Sequence, residues 1–282
     1  MTTYFPDLAG RATLLTGAGE GIGRAIAEAL CQSGAHVVLN DIDPDLARAA
    51  AEEITAEGPG RCVAVPGDAG DVEVIDRMVA TCLGEFGRLD SAVANAGITV
   101  FGDFDDVSPA AFDRLMNVNL RGSYFLTQRA VRAMRDLGRP GRIVLMSSNV
   151  GIQAYPKLSA YSMTKSALQM MARSLVVELG AFGVTINALA PGATLTERTK
   201  LEQDDYAGVW SKLVPRGKIA MPADIANSCL FLLSNASAHV NGVTLVVDGG
   251  WSATSPLPQE VASEHVNTTA ELEGSADNAQ AA

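Results

Sequence analysis

Seven short runs of apolar and β-branched residues recur along the chain, each separated from the next by a stretch with helical periodicity. The runs are ATLLT (12–16), HVVLN (36–40), CVAV (62–65), DSAVA (90–94), RIVLMS (142–147), TINALA (185–190) and VTLVV (243–247). Strands this continuously apolar have to be covered on both faces, and strands joined through helices pair in parallel. Within IGRAIAEALCQSG, residues Ile22, Ala25, Ile26, Ala29 and Leu30 share one helix face before Gly34 stops the helix. The pattern predicts an α/β chain: a doubly wound parallel sheet with crossover helices.

The chain has 282 residues, 48% of them hydrophobic, enough to bury one sizeable core. No linker or repeat interrupts residues 1–254, so one domain is expected there. From Ser255 the chain has no aromatic residue and turns polar and acidic. Residues 255–282 therefore read as a mobile tail, with too little apolar surface to offset the entropy of ordering it. No apolar stretch approaches the ~20 residues of a membrane span, and MTTYFPDLAG lacks the basic start and apolar run of a signal peptide. A soluble, cytoplasmic protein with no membrane partner is expected.

Cys31, Cys62, Cys82 and Cys229 are scattered and form no ligand-like spacing with His36, His239 and His265. The thiols read as small core residues, and no metal site is expected. The net charge of -11 argues against nucleic acid as a partner. Beyond Lys218 seven carboxylates meet no Lys or Arg, so residues 1–218 carry only -4 and the excess acidity belongs to the C-terminal region.

The first run leads directly into TGAGEGIG (16–23), which opens the first helical segment. Gly17 is expected to permit the tight turn, Gly21 to leave room for a pyrophosphate, and Gly23 to let helix and strand pack closely, with helix N-terminal N–H groups facing the phosphates. Asp41 ends the second run about twenty residues further on, where a carboxylate accepts hydrogen bonds from an adenosine ribose. That carboxylate repels a 2′-phosphate, Glu20 adds negative charge inside the loop, and no basic residue lies between Arg24 and Arg48. NAD is the expected cofactor, and NADP is disfavoured.

Taken in order, TGAGEGIG, Asp68 in GDAGD, ANAG (94–97), Asn119 in VNL, Ser148 in SSN, YSMTK (161–165), PGATLT (191–196) and VDGG (247–250) resemble the classical short-chain dehydrogenase/reductase family. The resemblance runs from about Leu8 to Thr254, with Ala94 where the family often has a second Asn. It implies a Rossmann-type sheet of seven parallel strands, an NAD(P)-dependent oxidoreductase acting on CH–OH groups, and a homotetramer. It also implies that Ile22, Asp68, Ala69, Asn95, Pro191, Gly192, Thr194 and Thr196 join Gly17, Glu20, Gly21, Gly23 and Asp41 around the dinucleotide. Asp68 would contact adenine, Asn95 would brace the sheet beside the cofactor, and Thr194 and Thr196 would bond the carboxamide. An ordinary turn-stabilising role for Asp68 stays open.

Tyr161 and Lys165, at i and i+4, project from one side of a helix. A free phenol titrates near ~10 and an ammonium near ~10.4, but an ammonium beside a phenol favours the phenolate, as does the positive ring of an oxidised nicotinamide. By resemblance Lys165 also holds the nicotinamide ribose, Ser148 donates to the substrate oxygen, and Asn119 holds a water that links Lys165 to solvent. Ser147 is the rival to Ser148, and a helix-surface position is the plain alternative for Asn119. The expected catalytic set is Asn119, Ser148, Tyr161 and Lys165, with Tyr161 taking the proton of a secondary alcohol as hydride leaves for the nicotinamide.

ERTKLEQDDYAGVWSKLVPRG (197–217) reads as a substrate lid, with Val150, Gln153 and Tyr155 as pocket walls. Tyr155 and Trp210 either stack on a substrate ring or fill core. The expected substrate is a small alcohol, sugar or polyol, interconverted with its ketone or lactone. Three alternatives stand beside it. An NADPH-dependent 3-oxoacyl thioester reductase is disfavoured by Glu20 and Asp41. A non-catalytic dinucleotide-sensing protein would be expected to lack part of the catalytic set. A scaffold would act through its acidic tail.

Overall fold

The computed structural model describes residues 5–255, so residues 256–282, the bulk of the predicted tail, lie outside the described residues. A compact unit ends at Trp251 and carries every element named below. In chain order these are β1 (Ala12–Thr16), α1 (Gly21–Gln32), β2 (His36–Asn40), α2 (Pro44–Glu57), β3 (Cys62–Ala64), α3 (Val72–Phe86), β4 (Ser91–Ala94), α4 (Pro109–Met116), α5 (Ser123–Asp136), β5 (Gly141–Met146), α6 (Ser159–Gly180), β6 (Val184–Pro191), α7 (Glu197–Glu202), α8 (Tyr206–Ser211), α9 (Pro222–Leu233) and β7 (Thr244–Val247). Each predicted apolar run is a strand. Asp41 is a small correction, since β2 stops at Asn40 and Asp41 lies just beyond it.

The strands form one parallel sheet in the order β3-β2-β1-β4-β5-β6-β7. The chain builds outward from β1 to β3, then returns to β4 on the other side of β1. That reversal opens a crevice at the carboxyl ends of β1 and β4, the usual ligand position in such sheets.

Alternation along each strand feeds two cores. Leu14, Val38, Ile143 and Ile186 pack with Leu126 and Met134 of α5 and Leu168 of α6. The neighbouring residues Leu15, Leu39, Val144 and Leu189 pack against Ile26 and Leu30 of α1, Ile54 of α2 and Leu230 of α9. Each of these large side chains contributes roughly 1.5–3 kcal/mol by leaving water, which is why the runs have to be apolar throughout. All four cysteines are buried and free, as small core residues should be. No described helix is long and apolar enough to cross a membrane.

Local signals start and stop the helices. Asp43 accepts from the N–H groups of Asp45 and Leu46 at the start of α2, and Asp71 accepts from Glu73 at the start of α3. Gly87, at φ 64°, ends α3 in the left-handed conformation. One helix departs from expectation. The long helical stretch around Asn119 is broken by a π-helical segment, Asn117–Gly122, between α4 and α5, a feature often found at functional sites.

At the other end of the sheet Asp90 accepts from the buried N–H of Ala12 at 2.8 Å and from Arg88 Nε and Nη2 at 2.7 and 2.8 Å. Asp90→Ala leaves that N–H without a partner and is expected to cost about 3 kcal/mol. A urea titration reads this as a lower midpoint at constant slope; an unchanged midpoint would show that the pair is dispensable.

Candidate active site

The crevice at the carboxyl ends is a cleft of about 430 Å³. Every residue that the sequence assigned to the dinucleotide lines it, together with Ser148, Tyr161 and Lys165. Asn119 does not.

Gly17 and Gly21 adopt φ of 63° and 60°, left-handed values that strain any other residue. Gly23 sits where α1 passes close to the chain leaving β1. A Cβ there would collide with the carbonyl of Gly17 and approach Asn95 Nδ2 to 2.6 Å, so the close approach needs its smallness. Asn95 then fixes the loop, donating its amide to the carbonyls of Thr16 at 3.0 Å and Gly17 at 2.7 Å. No side chain caps α1 at Glu20, and Gly21, Ile22 and Gly23 of its first turn line the cleft. This uncapped, positively polarised end behind a glycine turn fits a pyrophosphate, so the residues present suit a dinucleotide.

Asp41 faces the loop, accepting from the N–H of Gly19 at 3.0 Å and of Asp43 at 3.2 Å. Arg24, the first base after the glycine loop, is committed to Glu28 at 2.8 Å and Glu53 at 2.6 Å, which hold its proton more tightly still. Asp68 has the turn-stabilising role and also a place on the cleft. It lines the cleft, and it also stabilises its own turn by accepting from Gly70 N at 2.8 Å. Partial burial works against its charge, but the Gly70 N–H and the guanidinium of Arg114 outweigh that and hold its carboxyl below the usual range. Arg114, from α4, was not singled out in the sequence because only the fold brings it to a residue 46 positions away.

Lys165 is only 3% exposed. Its Nζ donates to the carbonyl of Met146 at 2.8 Å and lies 5.4 Å from the centre of the Tyr161 ring. Gly97 makes room for it, since a Cβ there would come within 3.2 Å of Nζ. Burial, helped by the charge of Arg198, lowers the Lys165 pKa to about 8. The two serines now separate. Ser147 is buried, donating to the carbonyl of Lys165 at 2.8 Å and accepting from Gln169 at 3.0 Å. The Ser148 hydroxyl, by contrast, meets Asn149 Oδ1, the Pro191 carbonyl and the Val150 N–H only at 3.4 to 3.5 Å and is loosely held in the cleft.

Asn119 is wholly buried, which overturns the helix-surface alternative. Its Oδ1 accepts from Ile98 N at 2.9 Å, and its Nδ2 donates to Ile98 O at 3.0 Å and Thr164 Oγ1 at 3.1 Å. The amide thus ties the π-helical segment to the irregular segment following β4 and to the residue before Lys165. In this geometry it positions other groups, and its side chain is engaged by protein rather than reaching the cleft. Thr196 accepts from Thr199 N at 3.3 Å as the cap of α7, and Thr194 donates to Gly192 O at 3.0 Å. Pro191, Gly192 and Ala69 line the cleft as well.

The predicted lid contains α7 and α8. Val150 and Tyr155 line the cleft, whereas Gln153 does not: its Oε1 is buried, and its backbone turns with the short 3-10 segment after Ser148. Trp251, unremarked in the sequence, joins Tyr155, Tyr206 and Trp210 in one aromatic cluster on the cleft.

A family model described as enoyl-(acyl carrier protein) reductase matches residues 17–252. The chain is 38% identical to versicolorin reductase 1 of Aspergillus parasiticus, over 86% of this chain and 97% of that protein. It is 35% identical to L-rhamnose 1-dehydrogenase (NAD(P)(+)) of Azotobacter vinelandii, over 85% and 96%. The crystal structure of a short-chain type dehydrogenase/reductase from Mycobacterium marinum superposes with a TM-score of 0.83 at 30% identity, covering 89% of this chain and 98% of that one. With likeness running through fold, cleft and sequence alike, the chain belongs to the classical short-chain dehydrogenase/reductase family and is an oxidoreductase of alcohol and keto groups.

Proposed function

We propose that the protein interconverts a secondary alcohol and its ketone or lactone, with NAD as hydride carrier and Tyr161 as acid–base. The observation that carries this reading is that Tyr161, the loosely held Ser148 hydroxyl and the buried Lys165 ammonium all line one cleft, with Nζ 5.4 Å from the Tyr161 ring. Bound there, the nicotinamide accepts or returns hydride. Tyr161 exchanges the alcohol proton, Ser148 stabilises charge developing on the same oxygen, and Lys165 holds the ribose while favouring the phenolate. Asn119 keeps Ile98 and Thr164 in place around Lys165. Following NADH absorbance with a panel of alcohols, sugars and cyclic ketones tests the reading; binding of NADH without turnover of any of them would sink it. The names of the similar reductase and rhamnose dehydrogenase support ketones and sugars as the classes to try first.

Preference for NAD is supported by Glu20 and Asp41 at the ribose end and by the neutralisation of Arg24. Wild type is expected to favour NADH over NADPH by about tenfold or more in kcat/KM, because a 2′-phosphate would meet two carboxylates while Arg24 is already paired. Glu20→Arg with Asp41→Ala should move the ratio toward NADPH. A wild-type preference for NADPH contradicts the assignment.

A single domain carries the whole site in this reading, acting in the cytoplasm as a homotetramer. Reduced, unpaired thiols support the compartment. Assembly is supported by Met163, Met170 and Val177, which recur at seven-residue spacing and stand exposed along α6, with Tyr124 exposed on α5.

A further inference from the structure

We propose that the substrate is a flat, conjugated ring ketone, or the matching alcohol, held against an aromatic wall made by Tyr155, Trp210 and Trp251. The inference rests on the reaction proposed above and narrows its substrate class.

The wall's geometry is specific. Tyr155 and Trp210 lie nearly parallel, 5.8 Å between centroids at 30°, and Trp251 stands edge-on to both, at 82° and 70°. A ring sandwiched between two others needs about 7 Å, twice the ~3.5 Å contact distance, so nothing slips between Tyr155 and Trp210. The occupant lies on the cleft side of the wall instead. The plain reading is that these rings fill a small core with Ala193, Val214 and Ile219. Yet Tyr155, Trp210 and Trp251 are each only partly buried, and all three line the same cleft as Tyr161 and Ser148.

Beside the wall the lining mixes apolar side chains with a few polar ones, among them Thr99, Asn149 and Arg198, which suits a ring with few polar substituents. Glu20, Asp41, Asp68 and Arg114 belong to the glycine-loop and adenosine end, and the Lys165 ammonium is turned onto a backbone carbonyl. Val150, Leu158 and Phe101 continue the apolar surface. A polyol entering here would leave hydroxyls facing aromatic faces without partners, which is unfavourable. A planar ring brings its own face to theirs, while its carbonyl reaches Tyr161 and Ser148.

The chain has two tryptophans, and both belong to this wall, so intrinsic tryptophan fluorescence reports on it alone. The test uses the full-length protein with NADH and three probes: 1-tetralone as a conjugated bicyclic ketone, cyclohexanone as a puckered one, and gluconolactone as a sugar-derived lactone. 2-Naphthol serves as a non-reacting planar ligand. 1-Tetralone is expected to exceed both other probes in kcat/KM by at least about tenfold, and Trp210→Leu to raise its KM by about tenfold while changing that of cyclohexanone much less. NADH affinity checks that the variant folds. 2-Naphthol should quench the tryptophan emission saturably, and Tyr155→Leu should weaken that binding by a similar factor. Preference for gluconolactone or cyclohexanone, or an equal KM effect on both ketones, overturns the proposal. Should no probe be reduced, the proposed reaction fails, and the quenching still decides the wall: saturable quenching lost in Tyr155→Leu upholds it, and its absence overturns it.

Discussion

Tyr161→Phe is expected to bind NADH as wild type does, yet to turn over about 10²- to 10⁴-fold more slowly, the span usually lost with a general acid–base group. The substitution removes one oxygen and leaves the ring beside Lys165, 5.4 Å from Nζ, so the fold and the cofactor cradle keep their contacts. What disappears is the proposed proton acceptor for the substrate oxygen; the Ser148 hydroxyl bonds only weakly to the amide oxygen of Asn149, the Pro191 carbonyl and the Val150 N–H. Steady-state kinetics with fluorescence titration of NADH separates the two quantities. Near-normal turnover would remove Tyr161 from the chemistry, and a parallel loss of NADH affinity would make it a binding residue instead.

Lys165→Met is expected to reduce kcat/KM by at least about 10²-fold and to weaken NADH binding by about tenfold, since both the phenolate's partner and the ribose donor go. Its effect on stability should have the opposite sign. The ammonium is buried and its folded pKa is about 8, below the ~10.4 of an unfolded lysine. Between those values the unfolded chain binds more protons, so wild-type stability rises with pH there; below about 8 the buried charge costs its full penalty, about 3 kcal/mol. Methionine carries no charge and shows none of this dependence. Denaturant titrations at pH 7 and pH 10 should find wild type gaining about 2 kcal/mol on Lys165→Met as pH rises. A pH-independent difference would show that Lys165 is not buried in charged form.

How much of this was legible in the sequence follows from which physics was local. The seven strands were, because a sheet covered on both faces demands unbroken apolar runs. The cleft was too, because its parts follow the carboxyl ends of successive strands and each has a short motif. The π-helical segment was not, because one extra residue in a helical turn leaves no mark on periodicity; it is accompanied by Asn119 bonding Ile98, 21 residues away. Arg114 beside Asp68 and Trp251 beside Trp210 were equally hidden, being contacts made only once the helices dock. Gln153 shows the reverse error: closeness in sequence to Ser148 did not place it on the cleft, because the 3-10 turn redirects the chain.

The central claim is a tyrosine ionised by its cationic neighbour, and ultraviolet difference absorbance measures that directly. Titrating the NAD-bound protein and subtracting the same titration of Tyr161→Phe should reveal one phenolate forming well below the ordinary value of about 10. A difference spectrum that stays flat until that value is reached would contradict the account.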